Sequence, residues 1–385
     1  MSETLCPLPW MHLATHPDGK VTLCCISDHT NNMSAAKQYT EGKPTLLNLN
    51  KDKIINIVNS DYFVETRKEM LEGKQPKACS RCYKEEATGI FSKRKLELLN
   101  YGNTFSESVI KPNMKFVELR MGNLCNVKCR TCNPNSSSQW VSEYKTLQKD
   151  LPFVTQYNSK LNSDWTQDES FWEELLSFSD KLETIYINGG EPTLVEKHWN
   201  YLERLIERGL HTQITLWYSI NMTNLPDKLL AIWKQFKKVI VHASIDDLGE
   251  RNQYIRKGTS WVDVEANLDK LKENNWIETS VTQTISWMNV YYLHEFNEYF
   301  NKCNLNVNTN LVYDPKFYSI SILPDFIKSQ LRERLKNFPD VLQHMSSEVD
   351  VELFGQGLQY NRWLDESRTE KFAEYFPEWA QILGY

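Results

Sequence analysis

Long apolar runs are missing from this chain. No window approaches about 18 uninterrupted apolar residues, so no membrane span is expected. The start, MSETLCPLPWMHLATHPDGK, lacks a basic stretch leading into an apolar one, so export is not expected and the cytoplasm is the expected location. Glycine and proline number only 14 each among 385 residues, and hydrophobic (41%) and charged (24%) fractions are ordinary, which excludes collagen-like repetition and a disordered chain. No internal repeat or low-complexity tract is present. Positive charge is not in excess: 44 Lys and Arg stand against 50 Asp and Glu, a net charge of -6. That argues against a broad phosphate-binding surface, and duplex nucleic acid is not an expected partner. Nine cysteines are too few for a disulfide scaffold of this length.

What the chain does have is clustering. Cys6, Cys24, Cys25, Cys79, Cys82, Cys125, Cys129 and Cys132 all fall in the first 132 residues, leaving Cys303 alone. In a chain kept reduced, short thiol spacings point to metal ligands.

The length accommodates two to three domains. Residues 1–110 read as a small metal-stapled module with one helix over Lys53–Gly73. Residues 111–312 alternate strands with helices. The strands are expected at Phe116–Arg120, Thr184–Asn188, Gln213–Ser219, Val239–Ile245, Thr279–Ser286 and Asn306–Val312. Helices are expected at Ser136–Leu147, Ser170–Phe178, Glu196–Arg208, Pro226–Phe236, Val262–Asn274 and Tyr292–Asn301. Such alternation implies parallel βαβ units with right-handed crossovers. Six units are too few for a closed eight-stranded barrel, so the expected fold is α/β, an open partial (βα)6 barrel. The polar stretch Asp150–Asp168 reads as an insertion. Residues 313–385 read as a cap of amphipathic helices over 323–338 and 366–383.

Two motifs carry chemistry. Directly after the first strand stands Cys125-Asn126-Val127-Lys128-Cys129-Arg130-Thr131-Cys132. Three thiolates on one loop can hold three irons of a [4Fe–4S] cluster and leave the fourth open for another ligand. A zinc site completed by a residue elsewhere would use the same thiols. After the second strand comes Gly189-Gly190-Glu191-Pro192, where glycines permit close backbone approach and a carboxylate can receive an ammonium group. A strand-to-helix turn is the plainer reading. In α/β barrels, that end of the strands carries the active site.

In these two motifs, their order and their positions, the sequence resembles the radical S-adenosylmethionine (SAM) superfamily over about residues 112–312. The resemblance implies that Cys125, Cys129 and Cys132 bind a [4Fe–4S] cluster whose open iron takes the amino and carboxylate groups of SAM. It implies that Gly189, Gly190 and Glu191 line the methionine ammonium. The fourth strand, with Ser244 and Asp246 on one side, and the later Arg256 look like the segments that hold the SAM ribose, ammonium and carboxylate. Ser219 and Asn221, after strand three, are further candidates for that pocket. Thr131 departs from the pattern, since many members place an aromatic residue there against the adenine.

The amino-terminal cysteines form Cys6-x12-Gly19-x4-Cys24, then Cys79-x2-Cys82. This is similar to the auxiliary-cluster domains called SPASM and twitch, which usually follow the barrel. The resemblance implies a second [4Fe–4S] cluster held by Cys6, Cys24, Cys79 and Cys82. Four-cysteine zinc fits the spacing equally well. Cys25 is a spare thiol or an alternative ligand, and Cys303 a core residue. Trp287, Tyr254 and Tyr313 are candidates to face a substrate cavity. No histidine is given a catalytic role.

The expected function is reductive cleavage of SAM to a 5′-deoxyadenosyl radical, which takes a hydrogen atom from a small molecule (sugar, aminocyclitol or nucleotide) or a peptide. An electron donor such as flavodoxin or ferredoxin is implied. The alternative is a non-catalytic, zinc-stapled interaction protein.

Overall fold

A computed structural model describes residues 3–102, 113–157 and 164–385. The chain begins with α1 (Leu8–Met11), β1 (His12–Thr15), β2 (Val21–Thr22), β3 (Lys37–Thr40) and β4 (Lys43–Leu46). Next come α2 (Ile54–Val58), α3 (Asp61–Leu71), α4 (Ser80–Ala87) and α5 (Lys93–Tyr101). β5 (Phe116–Met121) leads to β6 (Lys128–Cys129), α6 (Trp140–Asp150) and α7 (Glu169–Ser177). Then follow β7 (Thr184–Gly189), α8 (Glu196–Glu207), β8 (Thr215–Ile220), α9 (Asp227–Trp233) and β9 (Lys238–Ser244). α10 (Gly249–Ile255), β10 (Arg256–Lys257), α11 (Trp261–Glu273), β11 (Ile277–Ile285), α12 (Leu293–Lys302) and β12 (Asn306–Leu311) complete the alternation. The chain ends in α13 (Asp325–Arg332), α14 (Pro339–Met345), α15 (Val351–Arg368), α16 (Phe372–Tyr375) and α17 (Pro377–Leu383). All six expected strands and the six helices among them are present, with ends moved by a few residues. The fold is α/β, with mostly parallel strands in the order of a partial (βα)6 barrel. No helix among the described residues is long and apolar enough to cross a membrane.

Two compact units divide the chain. One takes Met1–Leu124, Lys160–Tyr218 and Asp227–Val239; the other takes Cys125–Ser159, Ser219–Pro226 and Ile240–Tyr385. In the first unit the strands lie in the order β8-β7-β5-β1-β2, parallel except for β2. The cysteine-rich amino-terminal segment therefore adds a strand beside β5. The boundary expected at residues 110 and 111 lies outside the described residues. Register sets Glu118, Tyr186 and Trp217 side by side on one face, and Leu13, Val117, Ile185 and Leu216 on the other. The second set is fully buried. Because side chains alternate along a strand, one face packs the core while the other is left for polar and aromatic groups.

In the second unit β12, β11 and β9 lie in that order, with β11 and β12 parallel from Ser280–Asn306 to Ile285–Leu311. β6 and β10 form a separate antiparallel ladder. Its core is aromatic, built around Trp287, Tyr318, Tyr360, Phe372, Phe376 and Trp379. Trp287 and Tyr254 belong to this core rather than to a substrate cavity, whereas Tyr313 is 63% exposed.

Two local expectations are corrected, and one helix was not foreseen. The single helix over Lys53–Gly73 is two, because Ser60 adopts extended backbone ahead of Asp61. The buried Arg67 guanidinium satisfies the freed Val58 carbonyl at 2.9 Å. The carboxy-terminal helix over 366–383 is interrupted at Thr369, which is left-handed (φ 54°), and at Pro377, which cannot continue a helix. α15 escaped the periodicity because two glycines interrupt its pattern; a Cβ on Gly357 would meet the Phe317 carbonyl oxygen at 2.3 Å, so packing selects the glycine. Of the insertion Asp150–Asp168, residues 158–163 lie outside the described residues.

Candidate iron–sulfur and SAM sites

In the first unit, the segment before α1, the turn after β2 and the start of α4 bring four thiols together. Cys6, Cys24, Cys79 and Cys82 line one cavity, edged by Lys93 and Arg94. Gly19 makes the turn from β1 to β2 possible: its φ is +83°, and a Cβ there would meet Asn48 Oδ1 at 2.4 Å. Arg94 pairs with Glu86 and donates to the Leu5 carbonyl at 2.8 Å, fixing the segment that carries Cys6. Tyr83, next to Cys82, donates its hydroxyl to the Thr4 carbonyl at 2.7 Å.

Burial pushes the Cys6 thiol well up, and Cys24 and Cys79 add to it by mutual repulsion of their thiolates. The same two causes raise Cys79. Such a set favours a cationic guest that offsets both the burial and the repulsion. Among the described residues, no three Cys, His, Asp or Glu side chains converge tightly enough for a single metal ion. Cys25 does not line the cavity; burial and then Glu118 raise its thiol to about 12. Cys303 is partly buried at the end of α12.

In the second unit, Cys125, Cys129 and Cys132 pack together around Val127. The loop backbone is held on several sides. Ser137 Oγ donates to the Val127 carbonyl (2.6 Å), Ser138 Oγ to that of Cys125 (3.2 Å) and Trp140 Nε1 to that of Cys129 (3.0 Å). β10 runs against β6 with Arg256 opposite Cys129. Gly258 (φ +104°) lets that strand approach, since a Cβ would stand 3.0 Å from the Asn126 carbonyl oxygen. Burial raises Cys129 to about 11, though Arg256 pulls it down; burial and Cys129 raise Cys132 to about 12.

The remaining expected residues divide. Asn221 reaches the loop: its Nδ2 donates to Asn126 Oδ1 at 2.9 Å and lies 4.0 Å from Cys125 Sγ. Asp246 is buried and engaged, with Oδ2 on Arg256 Nη1 (3.0 Å) and Oδ1 accepting from the Thr284 amide (2.9 Å). Arg256 thus already has a carboxylate partner, while its Nε is buried without one. Ser219 and Ser244 are half-buried at the ends of β8 and β9.

Gly189, Gly190 and Glu191 lie in the first unit. Both glycines are demanded by neighbouring backbone: a Cβ on Gly189 (φ +134°) would meet the Met121 nitrogen at 2.5 Å, and one on Gly190 the Leu124 oxygen at 2.2 Å. The Glu191 amide donates to that same Leu124 carbonyl at 2.7 Å. The turn is therefore pinned to the residue preceding Cys125. Buried Glu191 accepts from the Thr193 amide (3.1 Å) and hydroxyl (2.8 Å), capping its own turn.

Residues 119–303 match the family model described as the radical SAM superfamily, and residues 6–83 match that of an iron–sulfur cluster-binding domain, SPASM. Residues 119–303 thus carry a radical SAM domain, and residues 6–83 a SPASM domain. These domains imply a [4Fe–4S] cluster, SAM and an auxiliary iron–sulfur cluster as cofactors. No curated protein matches this radical SAM protein in sequence. Among solved structures it is similar to anSMEcpe with bound AdoMet, at 16% identity over 61% of this chain and 63% of that one, with TM-score 0.41. It is also similar to Streptococcus suis SuiB bound to S-adenosylmethionine, at 14% identity over 80% and 66% of the two chains, with TM-score 0.38. The chain covers 63% of the length of the first of these.

One residue that matters at this radical SAM site escaped the sequence reading. Arg130, inside the cysteine loop, is fully buried. A charged residue between two cysteines of the motif was the available signal.

Proposed function

We propose that this radical SAM enzyme cleaves SAM reductively and acts on a small molecule or a peptide by hydrogen-atom abstraction. The observation that carries this reading is the cysteine loop: three clustered thiols whose backbone is tied by Ser137, Ser138, Trp140 and β10. In this reading Cys125, Cys129 and Cys132 hold three irons of the SAM-binding cluster. Cys6, Cys24, Cys79 and Cys82 hold the auxiliary one. When bound, the cluster and SAM supply a 5′-deoxyadenosyl radical; the chain supplies position, charge and exclusion of water.

Glu191 receives the methionine ammonium beside Gly189 and Gly190. Arg256, held by Asp246, offers its remaining donors to the carboxylate. Ser219, Asn221 and Ser244 contribute hydrogen bonds. The domain reading is a SPASM-type module over residues 1–110, a barrel over 111–312 and a helical cap over 313–385. Four thiolates saturate four irons, so the auxiliary cluster serves electron transfer or structure rather than substrate ligation. A flavodoxin- or ferredoxin-type protein is the proposed electron donor. The test is anaerobic incubation of the reconstituted protein with SAM and dithionite. Release of 5′-deoxyadenosine and methionine supports the reading, and a protein that takes up only zinc and releases neither overturns it.

A further inference from the structure

The last helices of the chain lie outside both matched segments, residues 6–83 and 119–303. Yet they supply the partners of the cysteine loop. Arg130, between Cys129 and Cys132, is fully buried. Its Nη2 lies 2.8 Å from Asp365 Oδ1 and donates to Glu370 Oε2 at 2.7 Å. Nη1 donates to Asn361 Oδ1 (2.9 Å) and to the Asn361 carbonyl (3.3 Å), and Nε donates to the Tyr254 carbonyl (3.1 Å). The Tyr254 ring lies under the guanidinium, 3.6 Å from its carbon to the ring centroid. Every nitrogen of the fork thus meets an acceptor, and four of the five acceptors belong to Asn361, Asp365 and Glu370.

The other neighbours of Cys129 lead to the same place. Lys257, opposite Lys128 in the β6–β10 ladder, pairs with the second oxygen of Glu370 at 2.8 Å. Lys128 lies 3.2 Å from Glu143, whose carboxylate also takes Arg368 Nη2 at 2.9 Å. The Arg368 guanidinium covers the Trp140 ring at 4.7 Å, and Trp140 is the residue that bonds the Cys129 carbonyl. Asp365 is fixed in turn by the hydroxyls of Tyr254 (2.6 Å) and Tyr385 (2.8 Å).

A buried arginine flanked by two carboxylates adds little net stability compared with apolar packing, but it strongly specifies geometry. Holding three cysteine side chains together on one loop without iron requires ordering that loop, at a cost in conformational entropy. We propose that the carboxy-terminal helices α15 and α16, with Glu370 between them, clamp the cysteine loop through Arg130, so that the three thiols are in place before iron arrives. Arg130, Asp365 and Glu370 are then positioning residues. The inference rests on the reading that Cys125, Cys129 and Cys132 hold the SAM-binding cluster.

Two measurements on the full chain test it. The first is hydrogen exchange of the iron-free protein. The Arg130 amide, bonded to the Ile255 carbonyl at 2.8 Å, is expected to be protected to the same degree as the middle of α15. Exchange at the rate of an unstructured peptide overturns the clamp, whatever the loop binds. The second is anaerobic reconstitution of Asp365→Asn, Glu370→Gln and their combination. Iron is expected to fall from about eight to about four atoms per chain. The electron paramagnetic resonance signal that responds to SAM is expected to be lost, while the signal left in a Cys125→Ala, Cys129→Ala, Cys132→Ala variant persists. Arg130→Lys should restore part of the SAM-sensitive signal and Arg130→Met none. A combined variant that keeps both clusters and the SAM response overturns the proposal. Where a variant fails to fold, protection of the Arg130 amide in the wild-type protein decides. A wild-type protein with no SAM-sensitive signal defeats the cluster assignment instead, and exchange still decides the clamp.

Discussion

Arg256 stands directly opposite Cys129 in the antiparallel ladder of β6 and β10, and its Nη1 lies 3.0 Å from Asp246 Oδ2. One guanidinium thus connects the cysteine loop to the end of β9. Burial by itself would lower the Arg256 pKa, but Cys129 and Asp246 hold it above its ordinary value, so the side chain stays charged.

Arg256→Ala is expected to destabilise the protein by about 3–5 kcal/mol, because Asp246 is left buried and unpaired. The pair Arg256→Met, Asp246→Asn should recover most of that loss, since an amide oxygen can still accept from Thr284. If Arg256 also receives the SAM carboxylate, the pair remains roughly 10- to 100-fold weaker in SAM affinity by calorimetry. Wild-type affinity in the recovered pair assigns Arg256 to bracing alone.

The triple substitution Cys125→Ala, Cys129→Ala, Cys132→Ala should abolish 5′-deoxyadenosine formation and leave the amino-terminal iron in place, since Cys6, Cys24, Cys79 and Cys82 line a cavity in the other unit. Iron analysis and product chromatography read both. Continued 5′-deoxyadenosine release under reduction refutes the assignment.

For Glu191, Gln is the discriminating change. Its amide oxygen keeps the cap to Thr193, so the unfolding free energy should change by about 1 kcal/mol or less, while SAM affinity drops at least about 10-fold with loss of the charge-assisted bond. An unchanged SAM titration would leave Glu191 as a turn residue only.

Gly190→Ala should be far more damaging to the fold. The added carbon would sit 2.2 Å from the Leu124 carbonyl oxygen, which is backbone and cannot swing away. A loss of about 3 kcal/mol or more is expected in urea unfolding.

Acid stability should depend on His198. Its Nδ1 donates to the Val195 carbonyl, so Nε2 accepts from the Tyr218 hydroxyl at 3.0 Å, and the ring is neutral. Burial lowers its pKa from 6.5 to about 3. The folded state therefore refuses a proton that the unfolded chain binds. The stability this ring contributes is fully present above about pH 6.5 and falls as pH drops toward about 3, at up to about 1.4 kcal/mol per pH unit. Urea midpoints from pH 7 to 4 should show a shallower acid slope in His198→Gln than in wild type. Equal slopes would place a protonated or mobile ring there.

The strand and helix alternation and the clustering of the three loop cysteines were legible in the sequence because they depend on local patterns. Side-chain alternation marks a strand, a 3.6-residue period marks a helix, and ligands on one loop must be close in sequence. The glycines of Gly189-Gly190 were also legible, although their reason was not: they yield to the backbone of Met121 and Leu124. The break at Ser60 was hidden because a side chain, Arg67, takes the freed Val58 carbonyl, and the long α15 because its Gly357 answers to the distant Phe317 carbonyl. The same holds for the addition of β1 to β5 and for the grip of Asp365 and Glu370 on Arg130. Residues 105 and 240 positions apart interact only after the chain has folded, and no periodicity records which buried charge will meet which.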